Sequence, residues 1–145
     1  MTDYPPPPPP PQQPYGAGPV GEVPLSQPLR GAAPRDAIVR FFKKYATFEG
    51  RASRSEFWWA ILFTFVVNMA INLILGADST AGSIVGGLFA LAILIPQLSV
   101  GARRLHDTGR SGWWQLLYLT CVGVIVLIVF WALPEKPEGD KYNVA

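Results

Sequence analysis

From residue 57 onward the chain alternates between long apolar runs and short polar breaks. The first run, Phe57 to Leu75, spans about nineteen residues, or roughly 28 Å as a helix, close to the hydrocarbon thickness of a bilayer. A second run covers 82–100 and a third covers 113–133. Ahead of them, Ile38, Phe41, Phe42 and Tyr45 recur at i, i+3, i+4 and i+7, and Phe48 continues the stripe. Arg40, Lys43 and Lys44 project away from that stripe, so the pattern predicts a short amphipathic helix capped by Asp36. Beside a membrane segment such a helix lies in the headgroup layer, rings towards the acyl chains and cations towards anionic lipid. Packing of the stripe against a soluble element is the other way to bury it. The expected fold is an all-α membrane protein: an interfacial amphipathic helix, then three transmembrane helices, or four if the third span is re-entrant. The membrane domain is expected over 35–145.

The first 34 residues carry a different composition. Seven consecutive prolines, Pro5 to Pro11, are followed by scattered Pro, Gly and Gln. Proline removes backbone donors and fixes φ, and few apolar residues are present to offset the entropy of ordering. A disordered, polyproline-rich tail is expected over 1–34, serving as a solvated spacer or as a strip for a Pro-binding partner.

Local signals mark the ends of the runs. Ser53-Arg54-Ser55-Glu56 has the form of a capping box at the start of the first span. Asn68 and Asn72 lie one turn apart on that span and read as packing residues across a helix–helix contact, with a role as pore or substrate ligands the alternative. Gly82 and Gly86 have GxxxG spacing, which permits close helix approach. Pro96 should kink the second span or begin its unwinding, with Gln97 and Ser99 at hand for the freed backbone groups. Pro134 and Pro137 stop the third span.

Charge then orients the spans. Only 15% of residues are charged and mean hydropathy is +0.24, whereas a soluble domain carries about 25% charge. Seven of the twelve Lys and Arg precede the first span, three lie between the second and third, none in the turn at 76–81, and two follow the third span beside three acids. The positive-inside rule then favours a cytoplasmic N-terminus and, with three crossings, an outside C-terminus. Trp58, Trp59, Trp113 and Trp114 would anchor the inner interface and Trp131 the outer one. A net charge of +2 does not suit a general nucleic-acid binder. The single cysteine, Cys121, excludes an intramolecular disulfide and reads as a small packing residue.

Candidate chemistry gathers around the inner ends of the spans. Arg51, Arg54 and Glu56 form one collar; Arg103, Arg104, His106, Asp107 and Arg110 form another, in what reads as a loop between the second and third spans. These eight residues are either an ion-pair cluster locking the spans together or a guanidinium site for an anionic headgroup or partner. An acid–base role for His106 and Asp107 is the weakest option, because sequence neighbours rarely face each other and no nucleophile motif accompanies them. No catalytic residue, metal or cofactor is expected. With no ionisable group inside the spans, transport would need an oligomeric pore.

Phe48-Glu49-Gly50-Arg51-Ala52-Ser53-Arg54-Ser55-Glu56-Phe57-Trp58 and Arg103-Arg104-Leu105-His106-Asp107-Thr108-Gly109-Arg110-Ser111-Gly112-Trp113-Trp114 resemble the two signatures of a family of small bacterial inner-membrane proteins, domain of unknown function 805. The resemblance runs from Ile38 to Asn143. It implies a multi-pass protein of the bacterial plasma membrane and supplies no activity. The expected role is therefore a non-enzymatic scaffold or binder of anionic lipid or a partner at the cytoplasmic face; the alternative is a small oligomeric transporter or channel. Expected partners are membrane lipids, a second copy or another membrane protein, and no nucleic acid.

Overall fold

The computed structural model describes residues 23–25 and 27–143, so the polyproline run lies outside the described residues. Among the described residues all regular structure is helical: α1 (Pro34–Lys43), α2 (Arg54–Leu75), α3 (Thr80–Asp107) and α4 (Cys121–Ala132), with 3-10 segments at Gly112–Leu119 and Pro137–Tyr142.

α2 and α3 are long and apolar enough to cross a bilayer. The capping box at the start of α2 is in place: the Glu56 N–H donates to Ser53 Oγ at 3.2 Å and the Ser53 N–H to Glu56 Oε2 at 2.9 Å. At its far end Gly76, with φ 83°, turns the chain into α3, and the Ser79 hydroxyl caps the new helix by accepting from Gly82 N. A Cβ on Gly82 would collide with the Gly76 carbonyl, so this glycine serves the turn.

α3 overruns its apolar stretch. Its 28 residues make about 42 Å, well beyond a hydrocarbon core of about 30 Å. The surplus is the segment expected as a loop: Arg103 to Asp107 are the last turns of the helix. The helix continues through Pro96 instead of unwinding there. The carbonyl left unpaired by proline, that of Ala92, accepts from the Tyr45 hydroxyl, and neither Gln97 nor Ser99 is used for it. α3 ends in a Schellman motif, with Gly109 N bonded to His106 O at 2.9 Å and Arg110 N to Leu105 O at 2.9 Å; Gly109 supplies φ 76°.

The third apolar run does not form one crossing helix. A 3-10 segment descends from Gly112 and breaks at Thr120; the 12 residues of α4, about 18 Å, then return. Both arms start and finish against the same stretch of α3. Gln115 Nε2 donates to Leu98 O at 2.9 Å, and Trp131 Nε1 donates to Gly101 O at 3.3 Å. A side chain at Gly101 would collide with Gln115 and crowd Trp131, so glycine is required where the two arms cross α3. The segment is a helical hairpin, and residues 133–143 come back to the end of the bundle that holds α1 and the start of α2. The third run expected to carry the chain to the opposite end instead leaves residues 133–143 at the end it started from. Hydropathy could not see the break, because the residues flanking Thr120 are apolar on both sides. Cys121 is exposed at the hairpin tip instead of packed.

α1 is rotated relative to the expected amphipathic helix. Pro34 occupies its first turn after Ala33, and Asp36 lies inside that turn instead of capping it. The face it buries is Ala37, Arg40, Phe41 and Lys44, also an i, i+3, i+4, i+7 stripe, while Phe42, Tyr45 and Phe48 stay exposed. Arg40 and Lys44 thus point into the protein, not towards headgroups. The segment before α1 also departs from expectation, since Leu29 and Ala32 are buried and the Leu29 N–H donates to Glu56 Oε2 at 3.0 Å. The packed domain therefore begins before residue 34.

The hairpin topology predicts that Ser111→Cys and Glu138→Cys, each in a Cys121→Ser background, react with a membrane-impermeant maleimide from the same side. Asp78→Cys should react from the other. Opposite labelling of the first two would overturn the re-entrant arrangement.

Candidate functional site

The end of the bundle where α1, α2, α3 and the C-terminal segment meet is a collar of buried charge. Arg40, Lys44, Arg51, Arg103 and Arg104 are buried there with two carboxylates, Glu56 and Asp107. Charges of this kind persist in an interior only when paired and hydrogen-bonded, so each partner matters.

Asp107 is the first hub. Its Oδ1 accepts from Arg51 Nε at 2.8 Å and pairs with Arg51 Nη2 at 2.7 Å, and its Oδ2 accepts from Arg104 Nη1. Arg51 continues to Asp140 in the C-terminal segment. Arg104 spends its other donors on α4, with Nε on Trp131 O at 3.0 Å and Nη2 on Leu133 O, and exposed Arg54 adds a bond to Ala132 O. Three successive carbonyls at the end of α4 are thereby capped by guanidinium groups, which also suit the negative end of the helix dipole.

Glu56 is the second hub. Arg40 Nε donates to its Oε1 at 2.6 Å, while Oε2 takes the N–H groups of Leu29 and Ser53. Arg40 also donates to the carbonyls of Val23, Pro24 and Gln27, tying down the segment before α1.

His106 is a structural clamp. The Gly112 N–H donates to Nε2 at 3.2 Å, which places the ring proton on Nδ1, facing Gly50 O at 3.1 Å. Its ring stacks on Tyr142 at 4.0 Å between centroids. Both nitrogens are engaged, so neither is poised for acid–base work. The Asp107 carboxylate points instead to the arginines. Among the described residues no three His, Cys, Asp or Glu side chains gather as metal ligands.

The structure brings Arg51, Arg104 and Asp107 into one network and puts Glu56 in another. Arg54 and Arg110 sit at the rim, Arg110 over the Phe130 ring at 4.0 Å. Trp58, Trp113 and Trp114 are exposed at the level of the collar. Trp131 is not an outer anchor: it is buried beside Phe57 in the core, at the collar end. Asn72 bonds Asn68 within α2 and bridges no second helix. Gly86 has open space where a side chain would stand.

Sequence reasoning missed Arg40, Lys44, Asp140 and Tyr142. Arg40 and Lys44 fall on the i+3 and i+7 positions of the stripe through Ala37 and Phe41, and that register was the available signal. Lys44 has its pKa lowered to about 7, first by burial and then by the Arg103 charge. An apolar cavity of about 600 Å³ between Phe48, Leu98, His106, Trp113 and Leu119 opens beside the collar.

Two membrane-length helices, closed at one end by buried ion pairs and a helical hairpin, define a small helical membrane protein. The chain belongs to the family described as protein of unknown function (DUF805), whose model matches residues 45–144. It is 39% identical to the inner membrane protein YhaH of Escherichia coli strain K12 over 114 residues, covering 74% of this chain and 93% of that protein. It is also 39% identical to the inner membrane protein YhaI of the same strain over 105 residues, covering 70% of this chain and 86% of YhaI. A third relative, the uncharacterized protein YiiR, is 33% identical over 88 residues, covering 60% of this chain and 58% of YiiR. No solved structure matches. The chain is thus a bacterial inner membrane protein of a family without an established activity, and none of these relatives indicates an enzymatic one.

Asp107→Asn should destabilise the protein by about 3–5 kcal/mol in detergent, because Arg51 and Arg104 would stay buried without their anion. A change within about 0.5 kcal/mol in equilibrium unfolding would show that the hub is not structural. Lys44 gives a pH signature. The unfolded chain holds its proton to the ordinary 10.5 and the folded chain releases it near 7, with Arg103, Arg40 and Glu56 as its charged neighbours. Unfolding between those values takes up a proton, so the fold gains stability as pH rises above 7, and below 7 the full burial penalty is present. The Tm in phosphate-free buffer should rise between pH 7 and about pH 9, and that part of the rise should vanish in Lys44→Met.

Proposed function

We propose that this protein is a non-enzymatic membrane component that engages anionic lipid headgroups through its basic collar, at the cytoplasmic face. The observation that carries the reading is the placement of charge. All twelve Lys and Arg lie at the collar end of the bundle once the re-entrant hairpin returns Lys136 and Lys141 to it, and the turn between α2 and α3 carries Asp78 alone. That asymmetry favours the cytoplasm for the collar. A cationic end flanked by exposed tryptophans sits in the headgroup layer of the leaflet, where each surface Lys or Arg contributes about 1 kcal/mol of attraction to anionic lipid. The interaction falls to the rim, Arg35, Lys43, Arg54 and Arg110, because Arg40, Arg51 and Arg104 are committed to internal partners. The rival reading, an oligomeric transporter or channel, draws on Gly86 and not on Gly82, which serves the turn.

The test is the lipid carried through gentle detergent extraction from mixed phosphatidylcholine and phosphatidylglycerol membranes, quantified by mass spectrometry. Phosphatidylglycerol should be enriched over the bulk. The enrichment should fall at least about twofold in the triple variant Arg35→Ala, Lys43→Ala, Arg54→Ala. A retained mixture equal to the bulk, from protein that is still folded, would end this reading.

A further inference from the structure

Two of the buried cations are not hydrogen-bonded to any counter-ion. Lys44 is 2% exposed and Arg103 1%, yet Lys44 Nζ and Arg103 Nε and Nη2 have no hydrogen-bond partner. The carboxylates nearby are bonded to other groups. Both oxygens of Glu56 are occupied by Arg40, Leu29 and Ser53, and both oxygens of Asp107 by Arg51 and Arg104. The local charge does not close either: Arg40, Lys44 and Arg103 share Glu56 as their acid, leaving one uncompensated positive charge when Lys44 is neutral and two when it is protonated.

The free groups are also of a particular shape. Nε and Nη2 form the side-on edge of the guanidinium, whose two parallel N–H bonds match two oxygens of a planar or tetrahedral oxyanion. The Lys44 ammonium, close enough for the Arg103 charge to act on it, supplies further donors. The backbone around the pair is held firmly. The Ser99 hydroxyl, one turn before Arg103, donates to Lys44 O at 3.0 Å and also to Thr47 O, and the Ala52 N–H donates to Arg103 O at 3.1 Å. The pair is therefore positioned by three bonds between α3 and the segment that follows α1.

We infer that Lys44 and Arg103 form the specific site of the collar, and that its ligand is a phosphate monoester or inorganic phosphate bound as a dianion. The charge count selects the class. An anion beside Lys44 favours its protonated form and so the excess of two; a monoester phosphate carries about −1.5 to −2 at neutral pH and offsets it, whereas a phosphodiester headgroup carries a single negative charge. The group can come from a lipid with a terminal phosphate or from solution. This deepens the lipid-binding reading by giving it one site and one headgroup chemistry, distinct from the rim.

The experiment uses the full chain in phosphatidylcholine nanodiscs. In one arm inorganic phosphate is titrated at constant ionic strength set with chloride; in the other the nanodiscs carry phosphatidic acid or phosphatidylglycerol, and retained lipid is counted by native mass spectrometry. Binding of inorganic phosphate, weakened at least about tenfold in Lys44→Met and in Arg103→Lys, supports a soluble ligand. One retained phosphatidic acid, not replaced by phosphatidylglycerol and lost in the same variants, supports a lipid source. Arg103→Lys keeps the charge and removes the paired edge; Lys44→Met keeps the volume, so it carries the test if the other fails to fold. The proposal falls if neither probe binds wild type more tightly than Lys44→Met. It falls equally if Lys44→Met raises the Tm by the same amount with and without phosphate, because the pair is then simply uncompensated. Loss of phosphatidylglycerol enrichment in the rim variant with phosphate binding intact would separate this site from the broader reading.

Discussion

Asp107 sits where four parts of the chain must agree. Its carboxylate holds Arg51, which precedes α2, and Arg104, which belongs to α3. Through those two guanidinium groups it reaches Asp140 in the C-terminal segment and the final carbonyls of α4. A helix ending near a membrane surface must find donors for its last carbonyls, and water is scarce beside buried Trp131. Arg104 meets that requirement only because Asp107 neutralises it one turn away on the same helix. Remove the acid and the cap on α4 becomes an uncompensated buried charge, so the hairpin and the collar depend on one carboxylate.

This explains why α3 is longer than a bilayer is thick. Its apolar part needs about 20 residues to cross, and its polar part must then carry Arg103, Arg104, His106 and Asp107 on a rigid rod past the surface. A loop would leave those side chains unaligned. On a helix, Ser99 and Arg103 share the face towards α1, and Gly101 and Ala102 lie towards the hairpin. Arg104 and Asp107 are three apart, the spacing at which side chains on a helix meet.

The parts legible in the sequence were those governed by local rules. Both long helices follow from run length, the start of α2 from its capping box, and the gathering of arginines at one end from their position relative to the runs. What escaped depended on pairing at a distance. The aromatic stripe of α1 is the more hydrophobic of two overlapping stripes, and hydropathy alone prefers it. The protein instead buries the Arg40 face, with Lys44 one turn further along it, because Glu56 on α2 offers Arg40 a charge partner that no local window contains. The break at Thr120 escaped for the same reason: its cause is the demand of Trp131 and the α4 carbonyls for groups on α3, thirty residues earlier.

Buried arginine is costly, and a protein held together only by apolar packing at this end would be simpler. The two acidic hubs differ in how completely they settle that cost. Around Asp107 the Nε, Nη1 and Nη2 of Arg104 each end on an oxygen, and Arg51 bridges two carboxylates. Around Glu56 the accounting stops short, with Lys44 and the outer edge of Arg103 left over. A purely structural collar gains nothing from the second arrangement, since apolar residues of similar volume at positions 44 and 103 would be cheaper to bury. The asymmetry between a closed hub and an open one is what separates architecture from function in this molecule. Asp107 builds the end of the bundle, and the place beside Glu56 is the part of it fitted for an anion from outside the chain.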